Sequence, residues 1–207
     1  MKKLIFTLVG VILTLSGFSN LAYADTNNFR ILDFSADYYL SKDAENRSVL
    51  KVQETIVAEF PDFNQNHGIE RAIPLKYQGH VSYQKDLRAE LDGVPVGISS
   101  ETDDGNVVYR IGDANSYVHG VKAYTLEYSF RDVMRSDLSP MQMLIWNTNG
   151  TQWKQSFGSV EARLHIPKDL VASFQDGACY YGRYGSDKSC GQQPKPEISD
   201  NGDMVIA

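Results

Sequence analysis

The sequence is poor in cysteine and histidine, and both shortages restrict the chemistry open to the chain. Its 207 residues include two cysteines, Cys179 and Cys190, and four histidines. Two cysteines cannot form a structural zinc site alone, and no H-E-x-x-H spacing is present. The chain also lacks a G-x-S-x-G nucleophile elbow and a phosphate-binding glycine loop. We therefore predict no metal, no cofactor and no catalytic residue.

Long apolar runs are also scarce, and the one that exists lies at the start of the chain. It extends from Leu4 to Phe18, follows two lysines and precedes the small-x-small pattern Ala22-Tyr23-Ala24. A membrane-spanning helix needs about 20 apolar residues, so an uncleaved anchor is the less favoured alternative. We predict a signal peptide over residues 1–24 and one exported, extracytoplasmic domain over residues 25–207.

The charge balance limits the partners of this exported domain. Without the two leader lysines, the chain has 18 basic and 26 acidic residues, which gives a net charge of −8. Such a surface argues against nucleic acid and anionic lipid headgroups as main partners. We predict an unidentified protein or another cell-envelope component as the partner.

Export to an oxidising compartment also favours a Cys179–Cys190 disulfide.

The apolar residues alternate with polar ones over several segments, which is typical of half-buried antiparallel strands. The clearest cases are residues 47–60, 120–130 and 159–167. Asp-Gly and Asn-Gly pairs between such segments mark tight turns. Helical periodicity is weak: Pro140 interrupts the best candidate, residues 132–146, and one short turn is predicted after Pro167. The pattern predicts an all-β, antiparallel β-sandwich with at most short helical turns.

Glu54 is exceptional because it shares its parity with Val52 and Ile56 and should point into the core. A buried carboxylate requires a partner. Arg71, in the segment "HGIERAIP" from His67 to Pro74, is the candidate, since it also lies between apolar residues. We interpret this segment as a structured corner that a buried Glu54–Arg71 ion pair pins to the strand. The alternative is an acid with a neighbouring charge that tunes its pKa.

Two aromatic segments are candidate ligand or partner surfaces. The segment "WNTNGTQW" places Trp146 and Trp153 on either side of an Asn-Gly turn, where they either pair across a hairpin, pack on the core or face a ligand. The segment "CYYGRYG" carries Tyr180, Tyr181 and Tyr184 within the loop between the cysteines. His165, on the polar face of its strand, is predicted to be solvated.

These segments together resemble the N-terminal extracytoplasmic region of a bacterial family of predicted membrane proteins, domain of unknown function 2207. The resemblance rests on "SVLKVQETIVAEF", "HGIERAIP", "RIGD", "HGVKAYTLEYSF", "IWNTNGTQWKQSFGSVEARLHIP" and "CYYGRYGS", in this order. It implies a signal peptide, this β domain and then transmembrane helices, so membrane tethering is expected through segments beyond residue 207. It implies no catalytic residue, and the family's Glu and Arg motifs fall on Glu54 and Arg71.

Two functions are consistent with these observations. The first is a non-enzymatic binding, sensing or scaffold domain of a membrane protein. The second is a cell-envelope hydrolase that uses Glu54 or a histidine as acid or base. An enzyme needs converging titratable groups in an open pocket, whereas a binding module needs an exposed aromatic or apolar surface.

Overall fold

The computed structural model describes residues 26–77, 80, 81, 83–135, 141–183, 185–191 and 193–207. The predicted signal peptide lies outside the described residues. The first seven strands are β1 (Arg30–Lys42), β2 (Ser48–Phe60), β3 (Gly68–Pro74), β4 (Lys76–Tyr77), β5 (His80–Val81), β6 (Tyr83–Leu91) and β7 (Val94–Pro95). After them come β8 (Ile98–Asp103), β9 (Asn106–Gly112), β10 (Gly120–Arg131), β11 (Phe157–Ile166), the helix α1 (Lys168–Val171), β12 (Pro196–Ile198) and β13 (Met204–Ile206).

The larger of the two main sheets has eight strands in the order β12-β13-β11-β1-β2-β10-β6-β7. Neighbouring strands are antiparallel at every pair but one: β1 and β11 run parallel, with Phe34 opposite Val160. The prediction that residues 159–167 form an antiparallel strand is therefore confirmed for the pairing of β11 with β13 and wrong for its pairing with β1. The crossover between these strands is long because parallel strands cannot be joined by a tight turn.

The segment "HGIERAIP" forms a strand rather than the predicted corner. Its residues 68–74 are β3, which pairs antiparallel with β9 in the three-stranded sheet β3-β9-β8. Ile69, Arg71 and Ile73 alternate inward, and all three are buried. Pro74 closes the strand, a position that needs no ladder hydrogen bond from its nitrogen. Arg71 is consequently held by a regular backbone and not by a loop.

The two sheets face each other and enclose one apolar core, as expected for a sandwich. Alternate residues of the long central strands point inward and are fully buried, among them Phe34, Leu50, Ile56, Leu126 and Phe130. Ile69, Ile73 and Ile111 of the smaller sheet belong to the same cluster. The all-β sandwich prediction is confirmed.

A second, smaller cluster lies at the β11–β13 end, where Ile166, Met204 and Ile206 pack with Leu170 and Phe174. The predicted short turn after Pro167 is the helix α1. Residues 132–135 and 141–146 are not helical, and residues 136–140 of that candidate lie outside the described residues.

Tight turns form at three of the predicted pairs. One is Asn201-Gly202, where the Gly202 N–H donates to the backbone oxygen of Ser199 at 2.9 Å between β12 and β13. At Asp92-Gly93 and Asp104-Gly105 all four residues have positive φ. This conformation matches the right-handed twist of the flanking strands and allows two-residue hairpins between β6 and β7 and between β8 and β9.

Candidate functional site

Glu54 lies at the centre of the large sheet, where β2 places it between Ala36 of β1 and Leu126 of β10. Strand alternation turns its side chain toward the smaller sheet, and none of the residue is exposed to solvent. A carboxylate in this position needs compensating hydrogen bonds, because burial of an isolated charge is very costly.

Arg71 supplies this compensation from the opposite sheet. Its Nε donates to Oε2 of Glu54 at 2.9 Å and its Nη2 donates to Oε1 at 2.6 Å, so the pair is bidentate. The Tyr128 hydroxyl donates to the same Oε1 at 2.6 Å. Both carboxylate oxygens are therefore satisfied, and the planar guanidinium matches the geometry of the carboxylate. The ion pair joins β2 to β3 across the core.

A loop over residues 147–150 closes the remaining side of the pair. The backbone oxygen of Asn149 accepts hydrogen bonds from Nη1 of Arg71 at 3.2 Å and from Nε1 of Trp153 at 2.7 Å. Nη1 of Arg71 also donates to the backbone oxygen of Ala72 at 3.0 Å. A Cβ atom added to Gly150 would lie 2.6 Å from Nη1. Glycine at residue 150 thus lets the loop lie directly on the guanidinium.

The electrostatics of the cluster keep the Arg71 guanidinium charged. Burial alone would lower the pKa of the Arg71 guanidinium. The attraction and the hydrogen bonds to the Glu54 carboxylate, together with the neighbouring Tyr128 and Tyr38, outweigh burial and raise that pKa. Burial first, and then the negative charge of Glu54, raise the pKa of the Tyr128 and Tyr38 hydroxyls. Both tyrosines therefore remain neutral at ordinary pH and can act as donors. The Tyr38 hydroxyl donates to the backbone oxygen of Thr148 at 3.2 Å, which ties the loop to β1.

The two tryptophans flank this closing loop and pack on the core. The Trp146 ring lies 4.9 Å from the ring of Phe130, and the Trp153 ring lies 5.9 Å from that of Phe157, between centroids. Both are half-buried. The strand hairpin considered for residues 146–153 does not form. The packing corresponds to the core alternative, and ligand contact by these two rings stays a prediction.

The tyrosines of the second aromatic segment are placed differently. Cys179 and Cys190 form a disulfide with their Cα atoms 5.4 Å apart, so the predicted disulfide is present. The loop it closes exposes 62% of Tyr180 and 49% of Tyr181, and Nζ of Lys188 lies 4.7 Å from the ring centroid of Tyr181. Tyr184 lies outside the described residues. The exposed, described part of the loop is named the tyrosine loop (residues 180–183 and 185–189).

The three histidine side chains that the structure describes, those of His67, His119 and His165, do not converge on Glu54. The Nδ1 atom of His67 lies 3.0 Å from the backbone oxygen of Ser116, and Nε2 of His119 lies 3.1 Å from Oδ1 of Asn64. Within the described part of the chain, no group of three His, Cys, Asp or Glu residues could hold a metal ion.

His165 differs from the sequence-based prediction, because it is only partly exposed. Its Nε2 lies 2.7 Å from Oδ1 of Asp37, and its ring stacks on Tyr39 with the centroids 4.3 Å apart. The alternation of polar and apolar residues does not predict the contact of His165 with Asp37 and Tyr39, because this contact joins the parallel strands β1 and β11, and no local pattern predicts that pairing.

Comparison with known proteins identifies a family rather than an activity. A family model described as "Predicted membrane protein (DUF2207) N-terminal domain" matches residues 30–203. No curated protein matches the chain. Across the described residues, no helix is long and apolar enough to span a membrane.

The solved structures to which the chain shows partial similarity include larger enzymes. One is an M1 zinc metallopeptidase from Deinococcus radiodurans, with a TM-score of 0.44, 9% identity, and coverage of 86% of this chain and 38% of that one. Another is native leukotriene A4 hydrolase from Saccharomyces cerevisiae, with a TM-score of 0.40, 11% identity, and coverage of 69% and 24%. This chain therefore spans less than half the length of either structure, and the likeness is one of fold at most.

Proposed function

Because this chain belongs to the DUF2207 family of predicted membrane proteins, we propose that it is a non-enzymatic binding or scaffold domain. In this proposal the domain lies outside the cytoplasm and is tethered to the membrane by segments beyond residue 207. The partner is a protein or another component of the cell envelope. The tyrosine loop is the contact surface.

The observation that carries the proposal is the closure of the Glu54–Arg71 pair. A general acid or base must come within hydrogen-bond reach of a substrate, directly or through one water. Glu54 is fully buried, and its oxygens are occupied by Arg71 and Tyr128. This closure favours a structural role for Glu54, the residue that the sequence puts forward as a possible acid or base.

The tyrosine loop has the opposite character. Tyr180 and Tyr181 are exposed in a loop whose ends the disulfide fixes. Tyrosine offers a large contact area together with a hydroxyl, and a constrained loop loses little entropy when it binds. These properties suit a contact surface for a partner.

A photo-crosslinking experiment distinguishes the binding module from the hydrolase. A photo-reactive amino acid is placed at Tyr181 in the full-length protein in its native membrane. The matched control has it at Tyr39, an exposed tyrosine on the outer face of the large sheet. We expect one discrete adduct from position 181, absent from position 39 and competed by the purified domain. Equal adducts from both positions would contradict the proposed surface.

The enzymatic alternative is tested on isolated envelope material. We expect the purified protein to release no fragments from it. Release that is lost in a folded Glu54→Gln variant would establish the hydrolase and overturn the proposal. A reporter enzyme that is active only outside the cytoplasm, fused after residue 207, tests export separately; an inactive reporter would refute the proposed location.

A further inference from the structure

The edges of the two main sheets are protected to different degrees. The large sheet ends at β12 and β7, which are three and two residues long, and each contains a proline, Pro196 and Pro95. Short edge strands and prolines are common devices against unwanted strand pairing. At the β3 edge of the smaller sheet, the backbone oxygen of Ala72 is occupied by Arg71. Three of the four edges are therefore short, interrupted or partly occupied.

The fourth edge, β8, is open. All six residues of β8 are exposed, and it contains neither proline nor lysine. Its pairing with β9 is free of register shifts from Ile98–Ile111 to Asp103–Asn106. β8 is the terminal strand of its sheet, and within the described part of the chain no strand pairs with its outer side. The strand is long and regular enough to accept another strand.

The turn at Asp104-Gly105 determines which backbone groups face outward. It is a two-residue turn with positive φ at both positions, so the flanking pair Asp103–Asn106 exchanges hydrogen bonds. Hydrogen-bonded and non-bonded pairs then alternate along the antiparallel ladder. The N–H and C=O groups of Ser100 and Thr102 consequently point away from β9, at the spacing an added strand requires.

The charges on this edge indicate the chemistry of the occupant. β8 carries Glu101 and Asp103, and Asp104 follows in the turn. Arg110 of β9 is the nearby cation, and it is already paired with Glu101 at 2.5 Å and Glu70 at 2.9 Å. Pairing of two copies of β8 would oppose two acidic strands, which disfavours self-association. A strand with lysine or arginine on one face would be attracted instead.

We propose that β8 is a docking edge for an extended, lysine- or arginine-bearing segment of a partner protein, which adds as a fourth strand to the β3-β9-β8 sheet. Backbone hydrogen bonds supply affinity in this mode, and side chains supply selectivity. The inference rests on the proposed binding function and adds a second surface, distinct from the tyrosine loop.

The test uses an eight-residue peptide, Lys-Val-Lys-Thr-Lys-Val-Lys-Thr, and its counterpart with glutamate in place of lysine. Amide hydrogen exchange of the exported chain is measured with each peptide up to millimolar concentration. We expect the lysine peptide to slow exchange at Ser100 and Thr102, and the glutamate peptide to have no effect. An absence of protection at these amides, or equal protection by both peptides, would overturn the proposal.

Variants separate edge pairing from general electrostatic attraction. Ser100→Pro removes one outward N–H and leaves the β8–β9 hydrogen bonds in place, so we expect at least a tenfold loss of affinity for the lysine peptide. Glu101→Lys with Asp103→Lys should reverse the preference toward the glutamate peptide, and this second variant keeps the test valid if the proline variant unfolds. Unchanged affinity in both variants would overturn the proposal.

Two further outcomes test whether β8 acts independently of the tyrosine loop and whether its occupant is a second copy of the chain. Tyr180→Ala with Tyr181→Ala should bind the lysine peptide as the parent does, even if crosslinking through the tyrosine loop fails. Protection of Ser100 and Thr102 that rises with protein concentration in the absence of peptide would identify a second copy as the occupant and overturn the proposal.

Discussion

Replacement of Arg71 by alanine tests the role of the buried ion pair. The change removes both guanidinium donors from the Glu54 carboxylate and leaves only the Tyr128 hydroxyl. It also removes a donor from the backbone oxygen of Asn149, which anchors the closing loop. The variant therefore keeps a buried negative charge with one of its three hydrogen bonds.

The expected cost follows from this uncompensated charge. Removal of one partner of a buried pair typically destabilises a protein by about 3–5 kcal/mol. This loss is a large fraction of a typical total stability of about 5–15 kcal/mol. We expect the free energy of unfolding to fall by about 3 kcal/mol or more, measured by urea denaturation and tryptophan fluorescence.

Arg110→Ala is the matched control on the neighbouring strand. Arg110 also pairs with two carboxylates, but its side chain is 52% exposed. Exposed pairs contribute at most about 1 kcal/mol, so we expect little change. A second comparison places Glu54→Gln in the Arg71→Ala background, where loss of the charge should recover part of the stability. Equal stability losses for Arg71→Ala and Arg110→Ala would show that burial of the Glu54–Arg71 pair does not determine its contribution.

Three further predictions concern the closing loop, the buried hydroxyl and the disulfide. Gly150→Ala should destabilise the fold more than Gly105→Ala, since both glycines have positive φ but only the first would crowd the arginine; equal melting temperatures would contradict this. Tyr128→Phe should lose about 1.5–3 kcal/mol at pH 7. The pKa of Tyr128 is raised in the folded state, so above about pH 10 the free energy of unfolding of the parent should fall by about 1.4 kcal/mol per pH unit through this residue. The difference in free energy of unfolding between parent and variant, measured by urea denaturation, should therefore narrow above that pH. A difference that stays constant with pH would exclude this linkage. Thiol titration of unreduced protein should find no free thiol, and two would show that Cys179 and Cys190 are unpaired.

The inward orientation of Glu54 could be predicted from the sequence because strand alternation alone determines it. The arginine partner followed from the same reasoning applied to Ile69 and Ile73. The segment around Arg71 differs from the predicted corner, because its apolar residues alternate as in a strand and it pairs with β9. Period-2 alternation was the better guide there, since side-chain burial determines the register.

Other parts of the site depend on contacts between distant segments. The backbone oxygens of residues 148 and 149 hold the closing loop in place by accepting from Tyr38 and Arg71, which are far away in the chain. Backbone groups carry no sequence signature, so no residue pattern could reveal them. The Asp37–His165 contact likewise depends on the parallel pairing of β1 with β11, which alternation within either strand does not specify.

A structural role for the Glu54–Arg71 pair requires that the Glu54 carboxylate is closed to solvent, and carbodiimide labelling of the folded protein measures this directly. Labelled peptides are quantified by mass spectrometry after digestion, with Glu70 on the exposed face of β3 as the internal reference. We expect Glu70 to react and Glu54 to remain unmodified until the protein is unfolded. Modification of Glu54 in the native protein at a rate similar to that of Glu70 would show an open site and contradict a purely structural ion pair.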